Sequence, residues 1–170
     1  MRSRRSLLPF VAVLVVALSL LGRSHGSDRA GTAPRSAHSA TVQRVVDGDT
    51  VRLVGLGSVR LIGIDTPEVY GGTVECFGPE ASAFAKSLLR PGSRVRYRVG
   101  AEARDRYGRL LAYVWLRDGR LFNALLAERG YATTLTIPPN DDLAPRFRAA
   151  ERRAREHRRG MWGRAGCASS

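Results

Sequence analysis

The chain has 170 residues, enough for one compact domain and short of two. Lys plus Arg number 28 against 15 Asp plus Glu, and Lys86 is the one lysine, so the net charge of +13 is almost entirely guanidinium. That balance excludes an acidic, solvating protein and suits a polyanionic partner or an anionic surface, while saying nothing about fold.

Residues 1–26 read as an export signal. Arg2, Arg4 and Arg5 supply a positive start, an apolar run follows from 7 to 21, and Ser24 and Gly26 are small. The run is interrupted by Pro9 and is shorter than the roughly 20 residues of a membrane span. An uncleaved anchor, displaying the protein at a surface, is the competing reading. Residues 27–40 are small and polar without an apolar period and are expected to be a flexible linker. The folded domain is then expected at 41–163, with a tail at 164–170, in a secreted or extracytoplasmic monomer.

The first strand is expected to begin near Thr41, with Val42, Val45 and Val46 as its β-branched content. Asp47-Gly48 signals a hairpin, residues 50–54 return with alternation, and a second turn leads into a third strand over 59–64. Strict alternation from Val59 sends Arg60 and Asp65 to opposite faces, so a shared site requires a bend, which Gly63 permits. Pro67 stops the ladder. Residues 69–78 form an exposed loop, and Pro79-Glu80 open a helix with Ala81, Phe84, Ala85 and Leu88 at helical spacing, ended by Pro91-Gly92.

Residues 94–99 alternate as a half-buried strand. Asp105-Arg106-Tyr107-Gly108-Arg109 is a charged turn, and 110–116 is the fifth strand. A helix over 121–129 is capped by Gly130. Residues 133–142 form a loop in which Pro138-Pro139 can be cis. The last helix spans 143–159, with Leu143, Phe147, Ala150 and Ala154 as one apolar stripe and arginines over the rest. Five strands with helices after the third and fifth describe an α+β fold: a five-stranded OB-fold β-barrel with three helices, an architecture that binds nucleic acids.

Cys76 and Cys167 are the two cysteines. In an exported protein an even pair is readily oxidised, so one disulfide is expected between the tail and the loop after Glu68. Closing a loop of about 90 residues is worth roughly 4 kcal/mol at most in the chain-entropy model.

The candidate chemistry lies in two short segments. Asp47-Gly48-Asp49-Thr50 alone is a turn, and Asp65-Thr66-Pro67-Glu68 alone is a strand end. One hairpin apart, they can bring Asp47, Asp49 and Asp65 together, and clustered carboxylates need a cation to be tolerated. Hard oxygens from strand ends suit Ca²⁺ or Mg²⁺. A cation with open positions can polarise a phosphate, Arg60 and Arg109 can neutralise the charge that develops, and Glu68 can serve as general base. His25, His38 and His157 are poorly placed for catalysis, which disfavours histidine-based nucleases and zinc sites.

With these residues assembled, the chain resembles the staphylococcal (micrococcal) nuclease family, the thermonucleases. The resemblance covers about 41–162 and rests on Asp47-Gly48-Asp49-Thr50, Arg60, Asp65-Thr66-Pro67-Glu68, Gly78-Pro79-Glu80-Ala81 and Asp105-Arg106-Tyr107-Gly108-Arg109 in the family's order. It implies an OB-type barrel and a Ca²⁺-dependent phosphodiesterase, secreted or periplasmic, that cuts DNA and RNA and leaves 3′-phosphates. It further implies Asp49, Asp65 and the Thr66 carbonyl as Ca²⁺ ligands, with Asp47 acting through water. Glu68 is then the base, Arg60 and Arg109 the phosphate-binding pair, and Tyr107 a neighbour of the nucleotide's phosphate end.

Two departures stand out: the loop over 69–78 is shorter than in the best-known member and carries Cys76, and 133–137 lacks the tyrosines that flank the base there. The rival expectation is a nucleic-acid-binding OB module that has lost catalysis.

Overall fold

The computed structural model of the chain describes residues 32–70, 74–163 and 167. The expected export signal lies outside the described residues, as do 27–31 and all of the 164–170 tail except Cys167. In chain order the elements are β1 (His38–Val45), β2 (Thr50–Leu53), β3 (Gly57–Leu61), β4 (Ile64–Asp65), α1 (Gly78–Leu88), β5 (Arg94–Arg104), β6 (Leu110–Trp115), α2 (Phe122–Glu128), β7 (Thr133–Thr134) and α3 (Ala144–Glu156), followed by a 3₁₀ turn at Gly160–Trp162.

Five strands close a barrel in the order β1-β2-β3-β6-β5. β1, β2 and β3 form the expected antiparallel meander. β3 then pairs parallel with β6, Val59 beside Leu110, and β5 returns against β1, Ala40 beside Val95. A parallel pair needs a long crossover, and α1 with β5 provides it. The fold is the expected five-stranded OB-type barrel with three helices, in the α+β class.

Val42, Val51, Leu53, Val59, Leu61 and Val95 are buried in the barrel core. β6 reads Leu-Leu-Ala-Tyr-Val-Trp with no polar alternation, because its outer face is covered as well: Tyr113 stacks on Phe147 of α3 with ring centroids 6.1 Å apart. In α3 the expected stripe holds, with Phe147, Ala150 and Ala154 all buried. Asn123 of α2 is fully buried and staples strand backbone from three sides, donating to the Ile62 and Ala112 carbonyls and accepting the Val114 N–H.

Four expectations need correction. The described part of the expected linker, 32–40, enters the fold, since His38, Ser39 and Ala40 pair with β5 and Ala33 and Ala37 are buried. Arg96 holds that segment by donating to the carbonyls of Pro34 at 2.9 Å and Ala37 at 2.8 Å. The third strand is not continuous over 59–64, because it breaks after Leu61 and resumes as β4. Residues Thr133–Thr134, expected within a loop, form β7 and pair with β4, Asp65 beside Thr133. Finally, α3 ends at Glu156 rather than 159.

The break in the third strand has a clear cause. Gly63 adopts φ +82°, and a Cβ placed there would stand 2.1 Å from Cε2 of Phe147. Only glycine lets the chain turn sharply under that ring.

Candidate active site

The two acidic segments meet at one end of the barrel. The β1–β2 turn is held by its own aspartate: Asp47 Oδ1 accepts the N–H of Asp49 at 3.1 Å and of Thr50 at 2.6 Å. This turn aims the buried Asp49 at the chain leaving β4, where the Thr66 N–H donates to Asp49 Oδ2 at 2.8 Å and the Thr66 hydroxyl donates at 3.0 Å.

Arg60 of β3 spans the cluster. Its Nε lies 3.1 Å from Asp49 Oδ1 and its Nη2 lies 2.5 Å from Asp65 Oδ1, while Nη1 donates to the Leu61 and Ile64 carbonyls at 2.9 and 2.8 Å. The bend at Gly63 is what returns Asp65 to the side of Arg60.

The clustered acids raise one another's carboxyl groups. Burial, opposed by Arg60 and reinforced by Asp47 and Asp65, pushes the Asp49 carboxyl up to about 6. Glu68 is raised as well, by its own burial first and then by the charges of Asp47 and Asp65. Four acids therefore sit within each other's field, balanced by one guanidinium. The donor set of Asp49, Asp65 and the Thr66 carbonyl is all hard oxygen and fits Ca²⁺ or Mg²⁺ chemically. Among the described residues, however, no three Asp, Glu, His or Cys side chains converge tightly enough to cage a metal by themselves.

Arg109 reaches the same region from β5–β6. The turn that carries it is built on Asp105, whose Oδ1 accepts the N–H groups of Tyr107 and Arg109, both at 2.9 Å, and whose Oδ2 accepts Arg109 Nε at 2.7 Å. Burial alone would lift the Asp105 carboxyl, but the hydrogen bonds from Arg109 and Tyr107 outweigh it and hold it below the usual range. Tyr107 is exposed, with the Arg106 and Arg109 guanidinium carbons 4.8 and 5.4 Å from its ring centre.

Arg60, Tyr107 and Arg109 line one cleft of about 440 Å³, floored by Ile62 and Ile64 and walled by Leu135 and Ile137. A larger cleft, of about 1040 Å³ and lined by Ser93, Arg94, Arg96 and Arg120, lies away from these acids.

Each residue singled out in the sequence thus has a place. Asp47, Asp49, Asp65, Thr66, Glu68 and Arg60 gather at the barrel end, and Arg109 and Tyr107 line the same cleft as Arg60. Cys76 and Cys167 are joined as a disulfide with their Cα atoms 5.7 Å apart. The sequence reading gave no role to Asp105 or Glu75, although an aspartate opening a five-residue turn is a recognisable signal for the first. Where tyrosines are missing, the cleft presents the exposed aliphatic side chains of Leu135 and Ile137.

The family model for Staphylococcal nuclease homologues matches residues 58–164, more than half of the chain. The chain belongs to the staphylococcal nuclease family. A Thermonuclease of Staphylococcus intermedius is 36% identical over 159 residues, covering 91% of this chain and 93% of that protein. A Thermonuclease of Staphylococcus hyicus is 34% identical over 156 residues, covering 89% and 91%. The Endonuclease YhcR of Bacillus subtilis is 37% identical over 146 residues, and there the match covers 76% of this chain but only 12% of the relative. The chain therefore spans nearly the whole of the two staphylococcal relatives and a small part of the third.

Proposed function

We propose that this member of the staphylococcal nuclease family is an exported, monomeric, Ca²⁺-dependent and sugar-nonspecific endonuclease that hydrolyses DNA and RNA to 3′-phosphate products. The observation that carries the reading is that Arg60 and Arg109 line one cleft, with Asp49 and Asp65 paired to Arg60 and Glu68 within the field of the same charges. Relatives named Thermonuclease and Endonuclease support a hydrolase of this type. The disulfide fits an oxidising compartment, and among the described residues no helix is long and apolar enough to cross a membrane.

In this reading Asp49, Asp65 and the Thr66 carbonyl would hold a Ca²⁺, with Asp47 contributing through water, and the bound cation would supply Lewis-acid polarisation of a phosphate oxygen. Glu68, whose carboxyl burial and the charges of Asp47 and Asp65 raise above its ordinary value, takes the proton from a water that attacks phosphorus in line. The bond to the 5′ oxygen breaks, and that oxygen leaves with the electron pair and takes a proton from solvent water to become a 5′-hydroxyl.

Arg109 spends only its Nε on Asp105, and among the described residues its two Nη groups have no partner, so they are available for bidentate contact with phosphate. Arg60 is more committed: Nε faces Asp49, Nη2 faces Asp65 and Nη1 donates to the Leu61 and Ile64 carbonyls, so a phosphate would compete with Asp49 and Asp65 for it. Tyr107 flanks the phosphate end of the nucleotide.

Cleavage of single-stranded DNA by the purified protein, with Ca²⁺, with EGTA and beside Glu68→Gln, tests these roles together. Ca²⁺-dependent cutting that is lost in EGTA and strongly reduced in the variant is the expected outcome. Binding without cutting in every lane, by folded protein, would favour a catalytically silent nucleic-acid-binding barrel. The absence of a three-carboxylate cage among the described residues is the observation on that side.

A further inference from the structure

Glu68 leaves β4 beyond Pro67 and lies outside any helix or strand, so its position has to be set by something other than a ladder. Two hydrogen bonds set it, and both come from Glu75. The Glu75 N–H donates to the Glu68 carbonyl at 2.9 Å, and the Glu68 N–H donates to Glu75 Oε2 at 2.9 Å. One residue thereby satisfies both backbone polar groups of Glu68.

Glu75 is itself anchored from the far side. Its carbonyl accepts the Gly78 N–H at 3.0 Å, and its neighbour Cys76 is covalently tied to Cys167. Phe77, at φ +70°, stacks on Tyr131 with centroids 5.5 Å apart, and Tyr131 stacks in turn on Phe84 of α1 at 4.4 Å. At Gly78 the chain returns so close that a Cβ would stand 2.7 Å from the Glu68 carbonyl oxygen. Disulfide, aromatic stack and close return converge on the segment that grips Glu68.

We propose that Glu75, held by the Cys76–Cys167 disulfide, is the positioning residue for Glu68. The inference rests on the reading of Glu68 as general base. A base works only within about 2.6–3.2 Å of the proton it takes, and a shift of about 1 Å can cost roughly 100-fold in rate. Glu75 is exposed and its hydrogen bond to Glu68 is open to water, so its loss costs little stability and is read in catalysis. The Glu75 carboxylate touches no substrate in this scheme; it acts through the backbone of Glu68.

The test is a double-mutant cycle on the full chain, with kcat and KM measured on a single-stranded DNA oligonucleotide and a thermal melt of each variant. Glu75→Ala is expected to lower kcat roughly 10- to 100-fold with KM changed by less than about twofold. Glu75→Gln, which keeps an oxygen for the Glu68 N–H, is expected to recover most of that loss. Adding Glu75→Ala to Glu68→Gln should cost nothing beyond Glu68→Gln alone, because the two residues act as one unit. The pair Cys76→Ser with Cys167→Ser should fall between wild type and Glu75→Ala in kcat.

A Glu75→Ala variant with wild-type kcat, or losses that multiply in the double variant, overturns the positioning role while leaving Glu68 as base. Full activity in Glu68→Gln overturns the base reading, and the positioning role with it.

Discussion

Asp105 Oδ2 accepts Arg109 Nε at 2.7 Å, and the other oxygen of the same carboxylate holds the backbone N–H of Arg109, so one side chain sets both where Arg109 starts and where it points. Asp105→Ala should therefore leave the barrel folded but let the guanidinium wander from the cleft. The expected loss in kcat/KM on DNA is roughly 10- to 100-fold, smaller than the roughly 100- to 1000-fold expected of Arg109→Ala if Arg109 stabilises the transition state. Equal losses in the two variants would mean that Asp105 does more than aim Arg109.

The outer face of α3 makes a separate prediction. Arg153 and Arg155, and Arg159 beyond the helix end, make ion pairs with Glu128 or Glu151, whereas Arg148 and Arg152 are exposed and take part in none among the described residues. If they meet the backbone of a long duplex, Arg148→Gln and Arg152→Gln together should lower the magnitude of the slope of log K against log salt by about 0.9 per lost phosphate contact. The binding series should be run in EGTA, so that cleavage does not intervene. An unchanged slope places both arginines in solvent.

Gly63→Ala should be severely destabilising. The left-handed backbone costs about 1–2 kcal/mol for a residue with a Cβ, and a methyl group 2.1 Å from the Phe147 ring adds overpacking of roughly 1–3 kcal/mol. Urea melts of the purified variant measure the sum. Activity should fall with it, since the same bend brings Asp65 to Arg60.

Glu151 predicts part of the acid limb of stability. Burial raises its carboxyl, but the Thr134 hydroxyl and N–H and the Arg155 guanidinium outweigh burial, so its pKa in the fold lies below the ordinary value. A depressed carboxylate contributes stability that is present above its unfolded pKa of about 4.3 and is lost as pH falls through its folded pKa. Glu151→Gln should therefore be less stable than wild type at neutral pH, and the gap should close as pH drops below about 4. Melting temperatures taken from pH 7 to pH 3 would show a constant gap if Glu151 carried no such linkage.

Much of the candidate site's placement was legible because its residues lie in short segments. Asp47-Gly48-Asp49 announces a tight turn, Asp65-Thr66-Pro67 announces a strand end, and turn rules act over a few residues. The alternation argument even required a bend near Gly63, and the bend is there, because the parity of Arg60 and Asp65 along a strand is a local property. The apolar stripe of α3 and the cysteine pair were legible for similar reasons, one from period and the other from parity of count and compartment.

What the sequence by itself determined is the set of local elements and the residue types at their ends: the meander, the helix start at Pro79, and the acid and arginine inventory. What only the tertiary structure decided is which distant segments meet. The parallel pairing of β3 with β6 joins Arg60 to Leu111 and so brings the Asp105–Arg109 turn to the acidic end. β7 exists only because β4 offers it an edge and Glu151 holds Thr134. The N-terminal stretch orders only because β5 has an open side and Arg96 gathers its carbonyls. Such pairings are selected by the burial and hydrogen bonding of partners far apart in the chain, which leave no period in the local sequence to read.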